Sequence, residues 1–427
     1  MELERFVTGL KWEELGNHTQ EAARRCLLDL LGCSLSGVLA DDFKSLAAGV
    51  KRLDPDKSSW VWGSGIKTSL PWSIFLIAYA ASYFDMDDGH RLAQGHPGAA
   101  VIPAALCAAV SLNASGKSVL ESIVIGYEVA VRSALVMRAL GGPRKGSGAW
   151  VVPGVAAAVA RLMGLAPARV LDAVGLSEYL ALQAPQDRSA SFPNQMKEGL
   201  SWGAYTGYIA AFLASAGLQG MRPCLADSPL VNTLNTVWEI ENVYFKRYAC
   251  CRWAHPALDG LGQMIREKHV SWRQIEQIKI KTFEKATLLD RQDPANTLEA
   301  VYSIPFAIGS YLVHGKLMPA HVSGDNLKNS LVSDLSRRVV LEYDKDFSAR
   351  FPAECLQQIS VSLSDGQRYN SGVLSAKGDP SNPLSKEELL NKFRDLTESS
   401  LGDRSRRISE MVNNFEKYRA VDLIDLL

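Results

Sequence analysis

The chain reads as a mainly α protein with a large all-helical domain over 1–242, a smaller α+β domain over 243–380 and helices again over 381–427. Three observations predict this. Apolar residues recur at helical spacing up to about residue 240, β-branched and partly alternating segments enter only beyond it, and helical spacing resumes after the turn-rich Lys377-Gly-Asp-Pro-Ser-Asn-Pro383. A length of 427 residues also exceeds the size at which one core keeps growing, so more than one domain is expected.

In Glu21 to Ser34, residues 23, 26, 27, 30 and 31 fall on one helical face; Asn17 followed by Gln20 resembles a capping box, and Gly32 and Gly37 punctuate the end. The apolar runs Ile74 to Phe84 and Ala99 to Val110 read as buried helices. Further helical patterns cover Ser118 to Leu140, Val155 to Met163, Ala168 to Gln183 and Trp202 to Ala216, with Gly/Pro-containing connections at 141–148 and 184–194. Beyond 240, Ile275 to Thr282, Arg338 to Tyr343 and Gln358 to Ser364 read as strands of an antiparallel sheet, with Asp365-Gly366 as a hairpin signal. Helices are expected between them at Pro256 to Lys268, Ile304 to Val313 and Gly324 to Val332, which makes this part α+β. Ser385 and Glu388 form a capping pattern that opens the last helical segment.

Forty-six basic residues balance forty-six acidic ones and the pI is near 7.0, which removes the net attraction that a general nucleic-acid or anionic-membrane binder uses. The N-terminal stretch lacks the basic and apolar regions of a secretory signal, and uncharged apolar runs such as Tyr205 to Gln219 stop short of the roughly 18 residues a membrane span needs. A cytoplasmic protein is expected. Seven scattered cysteines with no Cys-x-x-Cys pair suit a reducing compartment.

The strongest candidate for a site is Asp85-Met-Asp-Asp-Gly-His-Arg-Leu-Ala-Gln-Gly-His-Pro-Gly-Ala-Ala-Val-Ile-Pro103, a polar turn between two apolar helices. Charges there need partners or a task. Asp85 and His96 suit proton transfer, because a buried imidazole beside a carboxylate can exchange a proton near neutral pH; the bland alternative is that they cap helices and satisfy turn amides. For Asp88 a capping role competes directly with a catalytic one.

Two further runs carry chemistry. Asn194-Gln-Met-Lys-Glu-Gly-Leu-Ser-Trp-Gly-Ala204 places Lys197 just before a helix, where an anion can bind, or else as a solvated loop lysine. In Tyr244-Phe-Lys-Arg-Tyr-Ala-Cys-Cys-Arg-Trp-Ala-His-Pro256, Lys246, Arg247, Arg252 and His255 offer a positive wall or a domain-boundary ion-pair cluster. Cys250, Cys251 and His255 make a poor metal set, since adjacent cysteines do not readily share one ion. There is no Gly-x-Gly-x-x-Gly after a strand, no Gly-Lys-Ser/Thr phosphate loop, no Gly-x-Ser-x-Gly elbow and no His-Glu-x-x-His, which disfavours nucleotide cofactors, serine hydrolysis and zinc proteolysis.

Taken in order, these pieces resemble the MmgE/PrpD family, which includes 2-methylcitrate dehydratases, cis-aconitate decarboxylases and iminodisuccinate epimerases. The resemblance rests on Leu28-Asp-Leu-Leu-Gly32, Asp85 to Pro103, Gly126-Tyr-Glu-Val129 with Arg132, Gly154 to Leu165, Lys197 with Trp202-Gly-Ala204, Lys246 to His255, Glu299-Ala-Val-Tyr-Ser-Ile-Pro305 and Lys377-Gly-Asp-Pro380. It implies a helical domain, an α+β lid, C-terminal helices returning to the first domain, a homodimer, and cofactor-independent chemistry without metal next to a carboxylate of a small di- or tricarboxylic acid. Carried over by position, Asp85, His96, Lys197, Lys246 and His255 are the expected catalytic residues. Asp88, His90, Arg91, Arg252, Cys251 and Lys145 are expected at the substrate.

The chain departs from the family pattern at three places. Asp87-Asp88-Gly89 stands where many members have Asp-Asp-Thr, and Lys145-Gly-Ser-Gly-Ala-Trp-Val-Val-Pro153 lacks the histidine of a His-Pro-Thr/Ser stretch. Cys251 falls where the decarboxylases have a lid histidine. The expected activity is therefore a hydro-lyase, with Lys197 and Lys246 clamping an enediolate and His96, oriented by Asp85, moving the proton. An epimerase or decarboxylase of a related acid is the alternative among enzymes, and a non-catalytic carboxylate binder the alternative outside them.

Overall fold

Small residues let helix backbones touch, and the helical domain is assembled on that principle. In the computed structural model, which describes residues 2–142, 144–182 and 194–427, the helix Asn17–Gly37 crosses Leu70–Ser82 so closely that a Cβ on Gly37 would stand 1.9 Å from the Ala80 carbonyl oxygen. Likewise, a Cβ on Gly154 would lie 2.2 Å from the Gly126 oxygen where Val152–Leu162 crosses Gly116–Ala139. Leu70–Ser82 and Gly98–Ser111 are buried along almost their whole length, as their unbroken apolar runs predict, so the polar turn between them sits inside the domain. Pro167–Leu180 and Leu200–Ser215 complete the packing. The expected connection 184–194 lies outside the described residues apart from Asn194, as does Gln183.

The start of the first long helix differs from expectation. Gly16 occupies the N-cap and no side chain caps it. Gln20 instead turns back to the carbonyls of Trp12 at 2.8 Å and Leu15 at 3.3 Å, at the end of the preceding short turn. At Ser385 the capping box is real: Glu388 N–H donates to Ser385 Oγ at 3.1 Å and Ser385 N–H to Glu388 Oε2 at 2.8 Å.

The α+β part is built on a five-stranded sheet of order Val339–Tyr343, Ile275–Thr282, Leu356–Leu363, Arg368–Asn370, with Leu374–Ser375 also pairing to Leu356–Leu363. The sheet is mixed, not antiparallel as the strand pattern suggested. Ile275–Thr282 runs parallel to Val339–Tyr343 (Ile278 opposite Val339), because the chain between them is long enough to cross over through helices such as Ile304–His314. It is antiparallel to Leu356–Leu363. A register shift between Ile275 and Gln277 explains the imperfect alternation, since Ile275 and Ile278 are both buried although three apart. The Asp365-Gly366 hairpin forms, with Gly366 at φ +84° and Leu363 N–H donating to Gln367 O at 2.9 Å. The helix expected over 324–332 is split into a short 3₁₀ turn at Gly324–Lys328 and a helix at Ser330–Ser336, because the Asn329 side chain accepts from Leu331 N–H at 3.0 Å and starts a new N-terminus.

After residue 383, Lys386–Leu401 returns to the helical domain and packs on Asn17–Gly37. Lys392 donates to Asp29 Oδ1 and to the Met86 carbonyl, each at 2.6 Å, tying this helix to the polar turn. No helix among the described residues is long and apolar enough to cross a membrane.

Candidate active site

The turn after Leu70–Ser82 is shaped by its own hydrogen bonds. Asp85 sits at φ +53°, its N–H on the Ser82 carbonyl. Gly89-His90 pairs antiparallel with Val243-Tyr244, and His90 N–H closes on Gly95 O at 2.8 Å. Pro97 and Gly98 then open the next helix. Asp88 has the capping role: it accepts from Gly98 N–H at 3.1 Å and from the Tyr127 hydroxyl. A Cβ on Gly98 would stand 2.2 Å from Tyr127 Oη, so this close fit requires the glycine. Burial pushes the Asp88 carboxyl up to about 7, with Asp29 and Asp87 adding like charge against the Tyr127 hydrogen bond.

Lys197, Glu198 and Gly199 follow one another at φ 25°, 55° and 73°, a left-handed run that leads into Leu200–Ser215. Non-glycine residues there cost on the order of 1–3 kcal/mol each, and such strain persists where the surroundings fix it. Here the fixing contacts are visible. Ser147 donates both its N–H, at 3.1 Å, and its hydroxyl to Glu198 Oε2. A Cβ on Gly148 would meet the Gly199 backbone at 2.3 Å, so the two segments lie in backbone contact.

At the centre, Lys197 Nζ lies 2.7 Å from Asp85 Oδ1 and 2.9 Å from Asp87 Oδ1. Lys246 Nζ bonds Asp85 and lies 3.7 Å from Asp87. All four side chains are buried. Burial alone would neutralise them. The opposite charges outweigh it, holding Asp85 and Asp87 below the usual carboxylate range and both ammonium groups above the usual lysine value.

His96 lies against this cluster. Its Nδ1 is 2.6 Å from the Asp88 carbonyl oxygen, an acceptor only, so Nδ1 carries the proton and Nε2 the lone pair. Burial, helped by Lys246, lowers the proton affinity of the ring below that of an ordinary histidine and leaves it neutral. Nε2 faces Asp85 Oδ1 at 3.7 Å and Glu198 Oε1 at 3.9 Å.

Asp85, His96 and Glu198 line a cleft whose other walls include Arg91, Tyr244, Cys251, Arg252 and Tyr302. Arg91 and Arg252 both bind Asp379 Oδ1, at 2.6 and 2.9 Å, and both lie over the Tyr244 ring. Two guanidinium groups on one carboxylate leave a positive charge over. Arg252 Nε, moreover, is buried with no partner among the described residues.

The structure thus brings Asp85, His96, Lys197 and Lys246 together, with Arg91, Arg252 and Cys251 on the same cleft. Four expectations need correction. Lys197 and Lys246 do not line the cleft and their charges are already matched by aspartates, whereas Arg91 and Arg252, which share Asp379, do line it. His255 does not reach the cleft either: it is fully buried, with Nε2 on the Cys250 carbonyl at 3.2 Å and Nδ1 facing Arg252 at 3.4 Å. Lys145 lines a separate pocket with Arg138 and Arg144. His90 borders the cleft, but its Nε2 faces Glu239 at 3.1 Å and its Nδ1 accepts from Ala93 N–H, which makes it a strut of the turn. Burial keeps the Cys251 thiol protonated.

Cys250, Cys251 and His255 do not converge into a metal set. Asp85, Asp87 and His96 do place ligand atoms within 4.8 Å of one another. Their carboxylates, however, already hold two ammonium groups, so a divalent ion would have to displace both lysines and the donor set does not fit one. Sequence reasoning missed Asp87, Glu198, Tyr302 and Asp379, although each lies in a run it had singled out.

Models for the MmgE/PrpD N-terminal domain and the MmgE/PrpD C-terminal domain match residues 1–231 and 248–417. The chain belongs to the MmgE/PrpD family. Curated relatives include cis-aconitate decarboxylases of Homo sapiens, 26% identical over 96% of this chain and 90% of that protein, of Aspergillus terreus (strain NIH 2624 / FGSC A1156), 22% identical over 99% and 94%, and of Mus musculus, 24% identical over 91% and 84%. In this MmgE/PrpD chain the run Gly126 to Arg132 proves to be a brace. Tyr127 holds Asp88, while Glu128 pairs with Arg132 and accepts the N–H groups of Glu239 and Ile240, which places Glu239 against His90. Lys377-Gly-Asp-Pro380 has a similar purpose: Gly378, at φ +104°, accepts from Phe245 N–H and delivers Asp379 to the arginine pair.

Proposed function

We propose that the chain is a cofactor-independent lyase of the hydro-lyase (dehydratase) type, acting next to a carboxylate of a small di- or tricarboxylic acid. The observation that carries this reading is a neutral, buried His96 whose free Nε2 opens on the cleft that also holds Arg91 and Arg252. A substrate carboxylate takes the surplus charge of the arginine pair, and the adjacent C–H faces Nε2. His96 accepts that proton, and the enediolate gains stabilisation from fixed positive charge in a site shielded from water. The imidazolium formed lies within 4 Å of Asp85 and Glu198, which favour it electrostatically. Lys197 and Lys246 hold Asp85 in place and keep it ionised.

Decarboxylation is the second reading, favoured by the names of the curated relatives. Against it, a decarboxylase must give a proton to carbon, whereas the proton of His96 sits on Nδ1 facing a carbonyl, and Cys251 is a buried thiol. The family resemblance further supports a homodimer.

Proton NMR in deuterium oxide with citrate, methylcitrate, aconitate, malate and iminodisuccinate tests the reading. Exchange at an α-carbon with an alkene product is expected. Exchange without an alkene identifies an epimerase, and loss of carbon dioxide a decarboxylase. Binding by calorimetry without exchange would replace the enzyme by a carboxylate binder. His96→Gln is expected to retain binding and to lose exchange by at least about 100-fold.

A further inference from the structure

The proposed elimination needs a second group: one to take the proton from carbon, one to hand a proton to the departing oxygen. Neither Lys145 nor His255 is at the cleft, and Cys251 is a neutral buried thiol. Glu198 is there. Its Oε1 faces His96 Nε2 at 3.9 Å, and it lines the same cleft. Its other oxygen is fully engaged by the N–H and hydroxyl of Ser147, whose Oγ in turn accepts the His96 N–H at 3.0 Å. Ser147 thus holds the Glu198 carboxylate and the backbone N–H of His96 together, and the imidazole and the carboxylate face each other across 3.9 Å. The left-handed backbone at Lys197 to Gly199 makes it work: Lys197 is sent towards Asp85 and Asp87, and its neighbour Glu198 towards His96. Ser147 lies in the stretch where the family pattern has a histidine and this chain has none.

Resting on the functional reading above, we propose that Glu198 is the second proton-transfer group, relaying the proton taken by His96 to the leaving hydroxyl, with Ser147 as its positioning residue. The C–H bond breaks as its proton passes to Nε2, and its electron pair becomes the enediolate. The proton moves from Nε2 to Oε1 and on to the β-oxygen as the C–O bond breaks. The enediolate electrons form the C=C bond, and water leaves. Substrate becomes alkene plus water, and His96 and Glu198 end as they began, so no outside proton or oxidant is required. The 3.9 Å gap is longer than a hydrogen bond; catalytic contacts commonly tighten once substrate is bound.

The two proton transfers can be read separately. In deuterium oxide, Glu198→Gln is expected to keep α-exchange within about threefold of wild type while alkene formation falls by about 100-fold. Ser147→Ala is expected to lower kcat for elimination with a smaller change in KM, and Ser147→Thr to restore much of it. Imidazole NMR provides a readout without substrate: removing the Glu198 charge in Glu198→Gln should lower the midpoint of the His96 titration. Elimination within threefold of wild type in Glu198→Gln, or an unmoved His96 midpoint, overturns the role of Glu198 and leaves the functional reading standing. Exchange without alkene in wild type overturns the relay to oxygen, and no exchange in wild type with any of the acids overturns both.

Discussion

Asp88 and His96 are eight residues apart and titrate in opposite senses, which gives the pH dependence of stability a definite form. Asp88 is raised to about 7 from the ordinary 3.8, so between pH 4 and 7 the folded chain keeps a proton that the unfolded chain has lost. That contribution is complete below about pH 4 and is gone above about pH 7, on the order of 4 kcal/mol in all. The value for His96 is lowered, so below pH 6.5 the unfolded chain binds a proton that the folded site refuses, and its contribution grows as pH rises. Asp85 and Asp87, held low, lose their contribution only as pH falls below the ordinary carboxylate range, outside this window. Glu128, also raised to about 7 by burial, adds to the falling slope of Asp88, and His321, lowered to about 4, adds to the rising slope of His96, so wild type carries slopes of both signs from pH 5 to 7. Asp88→Asn removes one falling contribution. Its urea-unfolding free energy is expected to rise more steeply with pH over that interval than that of wild type; parallel curves would show that Asp88 does not carry the extra proton. The sequence made Asp88 visible as a cap, but its environment was not, because Asp29 and Tyr127 are brought to it from distant positions.

Elements were legible where one periodicity held and obscure where a local side chain changed the register. The strand Ile275–Thr282 and the buried helices on either side of the polar turn follow directly from their apolar patterns. The parallel pairing did not, since period-two alternation says which face is buried but not which way the neighbour runs. Nor did Asn329 announce that it would break a helix in two, because an asparagine serves equally as interior residue or as cap. The role of glycine was also ambiguous in sequence: Gly154 stands just before the helical pattern of Val155 to Met163, yet it sits inside a helix where Val152–Leu162 meets Gly116–Ala139. Its neighbour there is backbone, not a side chain that could swing away. A Cβ 2.2 Å from the Gly126 oxygen must push the helices apart. Gly154→Ala is therefore expected to destabilise the protein by about 1–3 kcal/mol despite its better helix propensity, read as a lower midpoint in urea. Gly9 has open space around it, so Gly9→Ala tests the same propensity without the clash and is expected to stay within about 1 kcal/mol of wild type.

At the scale of the whole molecule, residues far apart in sequence meet at the site: the polar turn 85–98, the strained turn 197–199, the segment 244–252 and the Asp379 turn. Only order and chemistry hinted at this, since no spacing rule relates position 85 to 246 or 91 to 379. The C-terminal helix Lys386–Leu401 adds a further tie through Lys392, which is buried between Asp29 and the carbonyl of Met86, the residue separating Asp85 from Asp87. Removing one member of such a pair strands the other. Burial already pushes the Asp29 carboxyl above its ordinary value despite Lys392, and its Oδ2 has no partner among the described residues. Lys392→Met is thus expected to cost about 3–5 kcal/mol in urea unfolding, whereas Lys392→Met combined with Asp29→Leu, which removes both charges, should recover most of that loss. Activity ought to separate from stability in the double variant. Met86 O still lacks its donor, so the turn that carries Asp85 and Asp87 loses an anchor, and kcat is expected to stay below wild type even where folding is restored. Full recovery of kcat would mean that the turn is held by Lys197 and Lys246 alone and that the C-terminal helix contributes only to stability.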